Sequence, residues 1–440
     1  MIPVLRSTFI AAALAQAVGA AAPRWLSGQE GERPPVVTLA QARRRAAAVD
    51  PAAVASRAAV GTAAWERRAA VAALLTPSLR AGTSFTSYSN PFFNFATGNE
   101  SFRHTNASLE ASYTLVGAGK LAHIRSARAA VASAEAREAA TRFRTALATD
   151  AAYYAVLAES ELSRVAADRL RRATEQLGVA RVRVQAGETI ATDSLQLLLE
   201  VNRARLDVLR RDSAVMVVRL RLGRQVGASG AVDAAPLDSG APPAPPIALE
   251  AAVVELRARG PEIEAARASE RGAGAALAAV RETYLPDLKV SAVANGFDSE
   301  FFPTARQINQ VTVTVSWPIW DGGRREVTVS RARAVRAVAR ATREDEERAA
   351  AERMAQAYNG YTTARSGIEL ALIGVAVSAE NFRVQRARYR EGASTILDLL
   401  EAQVGLGEAE ATLVQSRYAA RLALAQIEAL LGRRLFTETP

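Results

Sequence analysis

Tyr389-Arg390-Glu391-Gly392-Ala393-Ser394-Thr395-Ile396-Leu397-Asp398-Leu399-Leu400-Glu401 is the stretch on which the reading of this chain turns. An Arg/Glu/Ala helix pattern enters it, Gly392 interrupts that pattern, and a second helix pattern with acids near its start leaves it. The stretch predicts the tip of a helical hairpin. The same arrangement occurs at Val184-Gln185-Ala186-Gly187-Glu188-Thr189-Ile190-Ala191-Thr192-Asp193-Ser194-Leu195, where Gly187 answers Gly392 and Asp193 answers Asp398. Two tips imply two copies of one unit.

Other landmarks recur in the same order. Thr38-Leu39-Ala40-Gln41-Ala42 answers Ala248-Leu249-Glu250-Ala251-Ala252, Asp50-Pro51 answers Gly260-Pro261, and Thr76-Pro77-Ser78-Leu79 answers Leu285-Pro286-Asp287-Leu288. Gly117-Ala118-Gly119-Lys120 then answers Asp321-Gly322-Gly323-Arg324, and Leu222-Gly223-Arg224 answers Leu431-Gly432-Arg433. The chain therefore reads as a first repeat over 23–227, a Pro/Gly/Ala-rich linker over 228–247, a second repeat over 248–435 and a tail over 436–440.

Outward from the tips, the incoming helix pattern runs about 65 residues without a break, roughly 100 Å at the rise of an α-helix. Ile368, Val375, Phe382 and Tyr389 fall every seventh residue, as do Leu170, Leu177 and Val184 in the first repeat. The outgoing helices continue the spacing with Val201, Val208, Val215 and Leu222, and with Leu406, Leu413, Ala420 and Ile427. This is the pattern of antiparallel, coiled-coil-like hairpins packed side by side. Each repeat opens with one helix, roughly 38–75 and 248–283, halted by Pro77 and Pro286.

Between opening and long helices the period changes to two. Thr105, Ala107, Leu109, Ala111, Tyr113 and Leu115 alternate with polar residues, and so do Val311, Val313, Val315 and Trp317. Each set predicts a half-buried strand, with a partner near 79–89 or 287–295 across a long loop. Aromatic residues gather at these strand ends, Phe297, Phe301, Phe302, Trp317 and Trp320 among them, as at a membrane interface. Four strands cannot close a transmembrane barrel, for which about 8 is the minimum, so several chains would have to share one.

The net charge of +10 comes almost entirely from arginine, since Lys120 and Lys289 are the only lysines. The basic residues are spread among glutamates along the helices, which reads as a solvated face and not as a nucleic-acid site. There is no cysteine, which excludes disulfides and thiol chemistry, and His104 and His123 lack metal-ligand spacing. No catalytic, cofactor or metal site is expected. The first 22 residues, a thin basic start followed by a small apolar run, read as a secretory signal peptide cleaved near Ala20 or Ala22.

The ordered landmarks resemble the TolC-like outer membrane efflux proteins over nearly the whole mature chain. The carriers are the duplicated element order, Pro286-Asp287-Leu288, Ser316-Trp317-Pro318-Ile319-Trp320-Asp321-Gly322-Gly323-Arg324, and Tyr389-Arg390-Glu391-Gly392 leading to Asp398-Leu399-Leu400. The resemblance implies a mainly α fold with a small β part, forming a homotrimer. Its barrel would have twelve strands in the outer membrane of a Gram-negative bacterium, above a helical periplasmic barrel. It further implies a passive exit duct for small molecules (drugs, metals or other solutes) or a secreted polypeptide, in tripartite efflux or type I secretion. The helix tips would dock on a periplasmic adaptor (membrane fusion) protein driven by an inner-membrane transporter.

By the same resemblance Tyr389 matches a tyrosine that helps hold a closed aperture. Asp398 and Glu401, three apart and so on one helix face, would form acidic rings at the gate. Asp398 and Asp193 can also be read as helix-start acids. Gly187, Glu188, Asp193, Gly392, Ala393 and Ser394 would form the docking tips. Ser394 stands where the family example carries a basic residue. The rival reading is a periplasmic coiled-coil scaffold or adaptor without a pore, which leaves the two alternating strand pairs unexplained.

Overall fold

The computed structural model describes residues 34–94, 98–117, 119–238, 240, 243–298 and 306–436. The signal-peptide segment, Phe301 and Phe302, and residues 437–440 lie outside the described residues.

The two halves repeat one order of elements. The first runs β1 (Val36–Val37), α1 (Leu39–Val49), α2 (Pro51–Leu75), β2 (Ser78–Asn94), β3 (Asn99–Val116), α3 (Lys120–Gln185) and α4 (Ala191–Gln225). The second runs β4 (Asp233–Ala234), α5 (Leu249–Arg259), α6 (Pro261–Arg281), β5 (Asp287–Asp298), β6 (Arg306–Ser316), α7 (Arg324–Arg390) and α8 (Ile396–Leu431).

Each half opens with two helices where the helix pattern suggests one. Pro51 and Pro261 cause the break: each sits at the first position of its second helix, where a missing amide proton costs nothing, and each forces an extended residue before it. At the first break the Asp50 carboxylate also accepts the Ala53 amide at 3.0 Å.

The long helices are 66 and 67 residues, close to the length read from the pattern. Helices of this length are held by packing rather than by propensity, and the seven-residue stripes supply it. Leu177, Val201, Val215 and Leu222 are buried in the first hairpin, and Ile368, Phe382, Tyr389, Leu406, Ala420 and Ile427 in the second. Ala166, Ala173 and Ala180, seven apart on α3 and buried, keep the helix surface low where the hairpins meet.

The sheet has strand order β2-β3-β5-β6, antiparallel throughout. Its register joins Leu79, Ala81, Leu109, Ala111, Val290, Ala292, Val311 and Val313 into one apolar face. Gly82, Ser108, Ser112, Ser291, Asn295, Thr312 and Thr314 share the opposite face, where Lys289 approaches Glu110 at 4.0 Å. β2 and β3 are 17 and 18 residues long, so the first hairpin has a much shorter loop than the alternation alone suggests. Among the described residues the outer edges of β2 and β6 pair with no strand.

The Gly227 to Pro246 segment is more than the tether its composition suggests. β4 pairs in parallel with β1, and Val232 and Ala234 join the buried cluster of Val37, Leu39, Tyr153, Val156 and Leu222. The Tyr153 hydroxyl donates to the Ala235 carbonyl at 2.7 Å. Beside this cluster Arg43 grips Asp150 through two bonds of 2.5 and 2.7 Å, and the Asp150 side chain is only 3% exposed. Arg43→Met, which strands that buried carboxylate, lowers the unfolding free energy by about 3 kcal/mol. Denaturant melts followed by helical circular dichroism check this, and a loss below roughly 0.5 kcal/mol, the scale of surface changes, would contradict it.

Candidate functional site

Both hairpin tips close the incoming helix in the same way. Gly187 and Gly392 adopt φ of +74° and +76°, a left-handed conformation that side chains beyond glycine resist. The Gly187 amide donates to the Val184 carbonyl and the Glu188 amide to Arg183, as Gly392 does to Tyr389 and Ala393 to Arg388. This double closure satisfies carbonyls that the helix end leaves free.

The outgoing helices start differently. At α8, Thr395 and Asp398 form a reciprocal capping box: Asp398 N–H donates to Thr395 Oγ1 at 3.2 Å, and Thr395 N–H to Asp398 Oδ2 at 2.9 Å. The Thr395 amide, then its hydroxyl, hold the Asp398 carboxyl below its ordinary pKa, with Arg388 adding to the effect. Among the described residues Asp193 accepts from side chains and not from an amide of α4. Its Oδ2 accepts the Thr189 hydroxyl at 2.7 Å and the Tyr389 hydroxyl at 3.2 Å, and the residue is 9% exposed. The helix-start reading thus fits Asp398, whereas Asp193 links one tip to the other.

Tyr389 is 2% exposed and packs in a core drawn from all four hairpin helices, including Leu177, Leu197, Phe382 and Leu399. Burial, then the charge of Asp193, pushes its phenol up to about 12. The hydroxyl therefore stays protonated and donates across the physiological range. Arg183 completes the contact: its guanidinium donates to the Tyr389 carbonyl, lies 5.3 Å from the ring centroid and reaches Glu188 at 3.4 Å.

The basic group at this junction therefore comes from α3 and not from position 394, where the Ser394 hydroxyl turns inward to the Gln385 carbonyl at 3.4 Å. Arg183 and Thr189 carry no sequence signal of this role, because their partners lie on the other side of the repeat or across the turn. Gly187, Glu188, Gly392 and Ala393 are exposed at the ends of the tips. Asp398 and Glu401 are exposed on α8, and Glu401 has no ion pair among the described residues.

At the far end, Trp317 and Trp320 are exposed, and Trp317 donates its indole N–H to the Tyr284 carbonyl at 3.2 Å. Phe297 lies on the face of the sheet opposite Val290 and Ala292. It pairs with Asn106 on the polar side and stacks on His104 at 6.0 Å.

A model of the outer membrane efflux protein family matches residues 38–228 and 252–433. This chain belongs to the outer membrane efflux protein family. Among curated proteins no match is found. Solved structures match this efflux protein in fold. The Campylobacter jejuni CmeC outer membrane channel is 14% identical with a TM-score of 0.76, over 90% of this chain and 85% of that one. The outer membrane protein VceC of Vibrio cholerae is 19% identical with a TM-score of 0.74, over 90% and 97%. The open state of the Neisseria gonorrhoeae MtrE outer membrane channel is 18% identical with a TM-score of 0.72, over 90% and 89%.

Tyr389→Phe deletes a hydrogen bond to a charged group, worth about 1.5–3 kcal/mol, and so speeds amide exchange at the tip helices of this efflux protein by roughly tenfold or more. Asp193→Ala has a similar effect, and the double variant adds little to either single one. Full additivity would show that the two side chains act apart. Because the folded phenol pKa is raised above its ordinary 10.0, the clamp's contribution is complete below about pH 10 and is lost as pH rises through about 12.

Proposed function

We propose that three copies of this efflux protein join their sheets into one twelve-stranded barrel in the outer membrane and continue it as a helical tunnel in the periplasm. The observation that carries this is the four-stranded sheet with an apolar face and two unpaired outer edges. Lipid supplies no hydrogen bonds to such edges, and four strands fall short of the roughly 8 that a closed barrel needs. Three copies give an even, closable number. Val311, Val313 and Val315 then face lipid, and Trp317 and Trp320 sit at the inner interface.

The duct is passive and carries small solutes or a secreted polypeptide outward. Its tips, ending in Gly187, Glu188, Gly392, Ala393 and Ser394, dock on a periplasmic adaptor that couples to an inner-membrane transporter. Asp193 contributes from inside the tip, as the acceptor for Tyr389. In the assembled tunnel the exposed face of α8 repeats Asp398 and Glu401 around the axis, where the acids favour cations. Tyr389, held by Asp193 and Arg183, keeps the second hairpin against the first and so positions that face. A scaffold without a pore has no use for a sheet of this kind.

Extraction from outer membranes in mild detergent gives a particle of three chains that conducts in planar bilayers. A monomer without conductance, or a protein confined to the soluble periplasm, would overturn the reading. Replacing Asp398 and Glu401 together by alanine lowers cation selectivity in reversal-potential measurements. Unchanged selectivity would leave Asp398 as a helix cap only.

A further inference from the structure

The two hairpins meet where α3 runs antiparallel to α8, and the polar contacts there keep a steady register. The Tyr418 hydroxyl donates to Glu161 at 2.7 Å, and Arg172 holds Glu410 at 2.9 and 3.3 Å. Fifteen residues along α3 from Glu161 stands Gln176, and fifteen back along α8 from Tyr418 stands Gln403. These contacts place the two glutamines within one helical turn of each other across the seam.

Both are enclosed: Gln403 is 0% exposed and Gln176 is 1% exposed. On the same stretches of α3 and α8, Ala173, Leu177, Ala180, Leu399, Ala402 and Leu406 belong to one buried apolar cluster. Neither polar atom of the Gln403 amide, nor Oε1 of Gln176, has a hydrogen-bond partner among the described residues. A polar atom shut away from water without a partner carries its full desolvation cost, and methionine or leucine would fill the same space without it. The seam is therefore weakened at one layer, between the Tyr389–Asp193 clamp at the tip and the Arg172–Glu410 pair further along α3.

A group that is unsatisfied in one arrangement and hydrated in another shifts the balance between them by that difference. We propose that Gln176 and Gln403 set the opening equilibrium of the periplasmic end: they destabilise the closed seam, and water reaching their amides as α8 leaves α3 stabilises the open one. This rests on the duct reading above and adds the residues that bias its gate. The Tyr389 clamp and the glutamine layer then act in opposite directions on one seam.

The test compares the full-length protein with Gln403→Met and Gln176→Met, each measured for thermal midpoint in detergent and for open probability in planar bilayers. Both variants raise the midpoint and lower open probability by about tenfold, equivalent to about 1.4 kcal/mol. Gln403→Glu, which puts a charge in the same layer, raises open probability. A midpoint lowered by methionine would overturn the proposal, because it would show the amides to be a satisfied, register-setting pair. A raised midpoint with unchanged open probability would overturn it too. If the wild-type protein conducts nothing, the duct reading fails on its own. Amide exchange along α8 then decides the seam: about tenfold slower exchange in Gln403→Met supports the bias, and unchanged exchange removes it.

Discussion

A strand edge in lipid has nowhere to place its amides and carbonyls, and on the barrel reading proposed above that constraint shapes the rest of this chain. The sheet offers a continuous apolar face, yet among the described residues the outer edges of β2 and β6 are open. A water-soluble sheet could cover such edges with a loop or charge them. In a bilayer the only remedy is another strand, so an outer-membrane sheet of this size implies neighbouring copies. The long helices follow from the same geometry. They leave one end of the sheet and are held by each other, through alanine and leucine stripes, along about 100 Å.

Duplication then supplies a controlled comparison at the tips. What the tips share, the left-handed Gly187 and Gly392 and their paired carbonyl closures, ends a helix and turns the chain. What they do not share joins one tip to the other. Asp398 stays local as a cap, while Asp193 accepts from Tyr389; Arg388 donates to the nearby Ala393 carbonyl, while Arg183 reaches across to Tyr389. Tyr389 has only Val184 as its counterpart. The divergence of equivalent positions marks where one hairpin is joined to the other.

The hairpins, strands and duplication were legible because each rests on a local period: seven for the helix stripes, two for Val311 to Trp317, and glycine where the helix must stop. A reading of one helix over 38–75 misses the split at Asp50-Pro51, although proline fits the first turn of a helix and not its interior. Other features depend on contacts that no local period encodes. β1 and β4 are two residues each, too short for alternation to show, and are defined by pairing with each other and by the Tyr153 hydroxyl. Phe297, by contrast, falls among the loop aromatics when the strand is expected to end at 295; β5 runs to Asp298, and alternation then sets Phe297 on the face opposite Val290, Ala292 and Ala294. The Tyr389–Asp193 bond spans almost half the chain, so either residue alone suggested a different role.

The central claim is that neighbouring copies complete the sheet edge to edge, β2 of one against β6 of the next. The chain has no cysteine, so introduced pairs report without background. The most direct measurement places a cysteine at Gly82 in β2, scans a second along β6 from Ile308 to Thr312, and oxidises intact outer membranes. The account predicts that one register yields a covalent species of three chains on a denaturing gel. Only monomers at every register, from protein shown to be folded, would contradict it.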